Sequence, residues 1–152
     1  MIYQFQINRL DGTPLDWNQF KGKKLVLVNV ASECGLTPQY EQLQYLAETY
    51  SRSNVEIIGF PCNDFAGQEP GTPEQIQNFC SAKYHITFLL TEKIHVVGVD
   101  RHPIYSWLLE QSKQEVTWNF QKYLIDENGA FVACYPPQTE PISDEIVKWI
   151  KS

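Results

Sequence analysis

Residues 24–31 read Lys-Leu-Val-Leu-Val-Asn-Val-Ala, and this run constrains the chain more than any other segment. It is almost continuously apolar and β-branched, with no alternation between polar and apolar positions. A strand exposed on one face alternates, whereas a strand covered on both faces does not. The run therefore predicts an interior strand of a parallel sheet with helices on each side. Residues 55–60 (Val-Glu-Ile-Ile-Gly-Phe) give a second strand of the same kind. Between them, a helix is expected from Thr37, with Thr37 as its cap and Pro38 in the first helical position. Tyr40, Leu43, Ala47 and Tyr50 would share its buried face. Strand, helix, strand is a βαβ unit.

The remaining elements follow from local signals. Residues 3–7 and the Asp11-Gly12 turn suggest a short N-terminal hairpin. Thr72-Pro73 with Gln75 reads as a capping box opening a helix whose apolar face carries Ile76, Phe79, Cys80 and Tyr84. Phe88-Leu89-Leu90 suggests a short strand, and 103–111 a helix. Residues 121–126 and 130–135 flank Asn128-Gly129 as a β-hairpin. Ser143 should cap a final helix burying Ile146, Val147 and Ile150. The order implies an α/β architecture, a central sheet with helices on both faces.

Size and charge narrow the function. The chain has 152 residues, 43% of them apolar and 20% charged, which suits one ordered domain over 1–152. Its formal charge of -6 argues against nucleic acid or an anionic membrane as partner, since either needs a basic face. The first residues show no basic stretch leading into an apolar one, so a cytoplasmic protein with reduced cysteines is expected. The cysteines are Cys34, Cys62, Cys80 and Cys134. None forms a C-x-x-C pair, which disfavours a structural metal site.

Cys34 falls just past the first buried strand and just before the expected helix. Chemistry in α/β sheets gathers at the carboxyl ends of strands. Unpaired N–H groups at a helix start also favour a thiolate. Position alone leaves open a second reading, a small buried residue filling the strand–helix corner. In Cys34-Gly35-Leu36-Thr37, threonine occupies the second position of a would-be C-x-x-C. A local disulfide is impossible, so any disulfide cycle needs a distant thiol.

Three longer segments carry a family resemblance. They are Asn29-Val30-Ala31-Ser32-Glu33-Cys34-Gly35-Leu36-Thr37, Gly59-Phe60-Pro61-Cys62-Asn63-Asp64-Phe65-Ala66-Gly67-Gln68-Glu69-Pro70-Gly71, and Trp118-Asn119-Phe120-Gln121-Lys122-Tyr123-Leu124. In order and spacing they resemble the glutathione peroxidase family, and the likeness covers essentially the whole chain. The resemblance implies a thioredoxin-like fold with a central mixed sheet. It implies a thiol peroxidase acting on hydrogen peroxide and organic hydroperoxides without a cofactor or metal. Cys34 would be the attacking residue, in a tetrad with Gln68, Trp118 and Asn119. Neutral donors suit this chemistry, because they stabilise both a thiolate and the departing oxyanion. A free thiol of pKa ~8.5 is only about 3% ionised at pH 7, so part of their task is to raise that fraction.

In the thioredoxin-dependent branch of the family, a second cysteine near the helix after the Gln motif resolves the sulfenic acid. Cys80 occupies that region, so thioredoxin (or glutathione) is the implied reductant. If Cys80 sits on a packed helix, residues 76–86 must rearrange before it can reach Cys34. The same first step would serve a peroxide sensor relaying oxidation to a partner, and a non-catalytic binding module is a third reading. Cys62 and Cys134 are expected to be structural. Glu33 stands where many relatives have lysine and Asp64 where glutamine is usual. Tetrameric relatives carry an insertion before the Trp motif that this chain lacks, which implies a monomer, or at most a weak dimer.

Overall fold

A computed structural model describes residues 1–152. Its centre is a five-stranded mixed sheet of order β3-β2-β1-β4-β5. The strands are β1 (Lys24–Val30), β2 (Val55–Pro61), β3 (Leu89–Leu90), β4 (Lys122–Ile125) and β5 (Phe131–Tyr135). β1 runs parallel to β2 and antiparallel to β4; β2–β3 is parallel and β4–β5 antiparallel. Every residue of β1 is buried. Val26, Val28 and Val30 enter one core, and Leu25 and Leu27 enter the other.

Four helices cover the sheet: α1 (Gln39–Thr49), α2 (Pro73–Phe79), α3 (Pro103–Ser112) and α4 (Asp144–Lys151). Tyr40, Leu43 and Leu46 of α1, Ile76 of α2 and Ile146 and Ile150 of α4 fill the first core. Ile104, Tyr105 and Leu108 of α3 fill the second. Burying each such side chain contributes about 1.5–3 kcal/mol, which explains why the doubly covered β1 organises the fold. No helix is long and apolar enough to cross a membrane.

Some local expectations hold. Thr72 and Gln75 form the full capping box of α2. Gly129 sits at φ 80 with the Tyr3 ring 2.6 Å from where a Cβ would be, so both conformation and space demand glycine there. Others need correction. Residues 3–7 form no strand: Ile2–Gln4 is a 3₁₀ turn, and the Asp11-Gly12 turn supports only an isolated bridge, Asn8 to Pro14. The segment is held instead by Ile2 N–H on the Gly129 carbonyl and the Trp17 indole on the Phe5 carbonyl.

Thr37 does not cap α1, which starts at Gln39 with Pro38 in the capping position. The Thr37 hydroxyl accepts from Cys34 N–H at 2.9 Å and donates to the Ala31 carbonyl at 2.7 Å. Those bonds fold the β1–α1 turn and leave nothing for the helix. Ser143 precedes α4, but its hydroxyl makes no capping bond. The helix begun by α2 does not run on regularly. Cys80–Tyr84 is a π-helical turn ending at His85, which has φ 53.

Candidate active site

Cys34 sits in the turn between β1 and α1, with 8% of its surface exposed. Its sulfur accepts two hydrogen bonds, from Leu36 N–H at 3.3 Å and from the Trp118 indole Nε1–H at 3.3 Å. The backbone donor belongs to the turn itself, because α1 begins further on. The ring of Phe65 lies 5.6 Å from that of Trp118 and braces it from the second motif.

Gln68 and Asn119 form the other half of the site. Asn119 Nδ2 donates to Gln68 Oε1 at 3.0 Å. Asn119 is fully buried, and its Oδ1 has no partner. Neither amide bonds to the Cys34 sulfur. The four residues therefore stand as two bonded pairs, Cys34–Trp118 and Gln68–Asn119, joined by the Trp118–Asn119 peptide.

Three further contacts hold the loops together. Glu33 N–H donates to the Gln68 carbonyl at 3.0 Å. Glu69, 1% exposed, accepts from Ser32 N–H at 3.1 Å, while its own N–H donates to Asn63 Oδ1 at 2.8 Å. Burial raises the Glu69 carboxyl pKa, and the Ser32 N–H opposes that rise. Asp64, whose role the sequence left unexplained, anchors the loop from behind. It pairs with His95 at 2.6 Å and accepts from Val96 N–H at 2.7 Å. Burial works to raise its pKa, but the bonds from His95 and Val96 outweigh burial and hold it below the usual value. Glu33 points to solvent.

Cys80 is not brought to Cys34. It is fully buried in the π-helical turn, and no cysteine is in a disulfide. Burial pushes its thiol up to about 11, with the Tyr40 hydroxyl acting in the other direction. Cys62 is also fully buried and pushed up to about 12. Cys134 is half-buried, and burial raises its pKa too.

Sequence reasoning assigned nothing to Asn29, Asp64 or Glu69 individually. Asn29 had a visible signal, being the one polar side chain between the lysine and the end of an otherwise apolar strand.

The sheet order, with a cysteine on the first βα turn, defines a thioredoxin-fold protein. It matches the crystal structure of Trgpx in its apo form with a TM-score of 0.79 and 32% identity, covering 99% of this chain and 95% of that one. Residues 2–109 match the glutathione peroxidase family profile. The chain belongs to the glutathione peroxidase family, and its activity is that of a thiol peroxidase with peroxide as acceptor. The glutathione peroxidase homolog BsaA of Bacillus subtilis is 41% identical over 157 residues, 99% of this chain and 98% of that protein. A protein of Synechocystis named hydroperoxy fatty acid reductase gpx1 is 41% identical over 155 residues, 95% of this chain and 90% of that one.

Proposed function

We propose that Cys34 is the peroxide-attacking residue, assisted by Trp118, Gln68 and Asn119, and that Cys80 resolves the product. The indole N–H bonded to the Cys34 sulfur carries this reading. A neutral donor there stabilises the thiolate without adding a competing charge. The thiolate attacks one peroxide oxygen and forms a sulfenic acid. The O–O bond breaks, and the other oxygen leaves as alkoxide or hydroxide, which takes a proton to become alcohol or water. The free Nε2 group of Gln68 and the unpartnered Oδ1 of Asn119 stand next to this sulfur-bearing turn as the remaining polar contacts for the peroxide.

In the second step, the Cys80 thiol displaces the sulfenic oxygen as water and forms a Cys34–Cys80 disulfide. A dithiol reductant of the thioredoxin kind then reduces it by exchange. Cys80 must first leave its buried position, so residues 76–86 unwind on oxidation. The irregular π-helical turn at Cys80–Tyr84 supports that segment as the part that yields. A groove of 760 Å³ begins at Gly35 and Leu36, beside Cys34, and Tyr45, Ile142 and Val147 add apolar wall. It supports organic hydroperoxides as substrates alongside hydrogen peroxide, in keeping with the name of the Synechocystis relative. The chain acts as one domain and as a monomer.

The test is NADPH-coupled turnover with the thioredoxin and glutathione systems on wild type, Cys34→Ser and Cys80→Ser. Turnover should depend on thioredoxin and vanish in Cys34→Ser. Undiminished turnover in Cys80→Ser with thioredoxin would remove the resolving role.

A further inference from the structure

Asn29 is fully buried in β1, one residue before the strand's end. Pairing between β1 and β4 covers Leu25–Val28 and stops short of it. From Asn29 onward the chain opposite is the turn carrying Trp118 and Asn119. Asn29 makes three bonds to that turn. Its carbonyl accepts from Phe120 N–H at 2.6 Å. Its Oδ1 accepts from Gln121 N–H at 3.0 Å, and its Nδ2 donates to the Trp118 carbonyl at 3.1 Å. The partners bracket Asn119 on both sides.

The turn needs such a clamp. Phe120 has φ 68, a left-handed conformation that costs a side-chain-bearing residue about 1–2 kcal/mol. Strain of this kind persists only where surrounding bonds over-determine the backbone. An amide carries its donor and its acceptor on two separate atoms of one tip, so it can bond the Gln121 N–H and the Trp118 carbonyl at once. Leucine or valine, which the strand pattern would favour, leaves the Gln121 N–H and the Trp118 carbonyl unpaired in a dry interior.

We propose that Asn29 is a positioning residue for peroxide reduction: its amide sets the Trp118–Gln121 turn so that the indole meets the Cys34 sulfur and Asn119 meets Gln68. It touches none of the reacting atoms and acts through Trp118 and Asn119. The inference rests on the roles given above to Cys34 and Trp118.

The experiment is a double-mutant cycle on the full chain with Asn29→Ala, Trp118→Phe and their combination. Stopped-flow measurement gives the rate of Cys34 oxidation by hydrogen peroxide, and the pH profile of Cys34 alkylation gives a second readout. Asn29→Ala should slow oxidation by about 10-fold or more, because a misplaced donor forfeits most of its stabilisation. The alkylation midpoint should move to higher pH. The loss in the double variant should be clearly smaller than the product of the two single losses, since the part of the Asn29 effect that acts through Trp118 is already gone. A merely structural asparagine would lower the melting temperature while leaving the rate per folded molecule and the alkylation midpoint unmoved. That result, or losses that multiply, overturns the inference. Should Asn29→Ala not fold, Asn29→Ser takes its place in the cycle, with a smaller loss expected because its hydroxyl can serve one of the two bonds. If Trp118→Phe itself oxidises at the wild-type rate, the underlying reading of the site falls and the inference with it. If Trp118→Phe is slow and the Asn29 variant is not, only the inference fails.

Discussion

The surroundings of Cys34 and Cys80 are opposites. Cys34 lies in a turn, its sulfur facing two N–H donors and retaining some exposure. Cys80 lies in an irregular helical turn, fully enclosed among apolar side chains, with its thiol pushed up to about 11. At pH 7 a thiol of that pKa is ionised about once in 10⁴ molecules. Both cysteines belong to the same core, so burial by itself does not separate them. What separates them is the donor set around the sulfur and the regularity of the backbone that holds it. One sulfur has its N–H donors in place; the other is enclosed, with its thiol pKa raised by burial.

Substitutions can break this contrast. The largest effect belongs to Cys34→Ser, which should reduce peroxide consumption to background in a coupled assay. Next, Cys80→Ser should leave the first oxidation intact and stop turnover with thioredoxin. Intact mass after one peroxide equivalent should then show a retained sulfenic oxygen, where wild type shows a disulfide. If the first oxidation also slows, the two regions are coupled and the contrast is wrong. Trp118→Phe removes one of the two donors to sulfur and should slow oxidation by about 10²-fold, read by stopped flow.

Smaller effects sharpen the picture of the Cys34 side. Asp64→Asn weakens the anchor behind the Gln68 loop and should cost about 1 kcal/mol in urea unfolding at pH 7. The Asp64 pKa is lowered by folding, so its stabilisation is present above the unfolded value near 3.8 and fades as pH falls through the folded one. The difference between wild type and variant should therefore shrink in acid.

Glu69 has the reverse sign. Its pKa is raised by folding, so its contribution is fully present below the unfolded value near 4.5 and is lost as pH rises through the folded one. Glu69→Gln keeps an acceptor for Ser32 N–H and removes the buried charge. The variant should gain in melting temperature relative to wild type on going from pH 4 to pH 7. A gain that is the same at both pH values would mean that the carboxyl does not titrate with folding.

Much of the architecture was legible because it depends on near-neighbour chemistry. The two buried strands showed in their nearly continuous apolar runs, and α2 in a capping box whose partners are three residues apart. Thr37 misled for an instructive reason. Its placement before Pro38 is a sound helix signal, but the hydroxyl had a competing use within the Cys34 turn. The expected 3–7 strand failed because Ile2–Gln4 winds into a 3₁₀ turn and the segment's polar groups are met singly, by the Gly129 carbonyl, the Trp17 indole and the Leu15 N–H, rather than by a neighbouring strand. The four proposed site residues were found through motifs; their grouping into two bonded pairs was not visible, and neither was the Asp64 anchor.

The sequence alone determined which segments are interior strands, where Cys34 sits relative to the sheet, and which family's motifs the chain carries. The strands rest on periodicity and composition and the family on runs of contiguous residues, and all of these are local. The tertiary structure decided which donors reach the Cys34 sulfur, that Cys80 is enclosed with its thiol pKa raised, and that Asn29 bonds the turn opposite. Each of these depends on side chains far apart in the chain arriving at hydrogen-bonding distance, and on how much water remains once they have. Neither quantity can be read from residue order, because both are set by the packing of the whole.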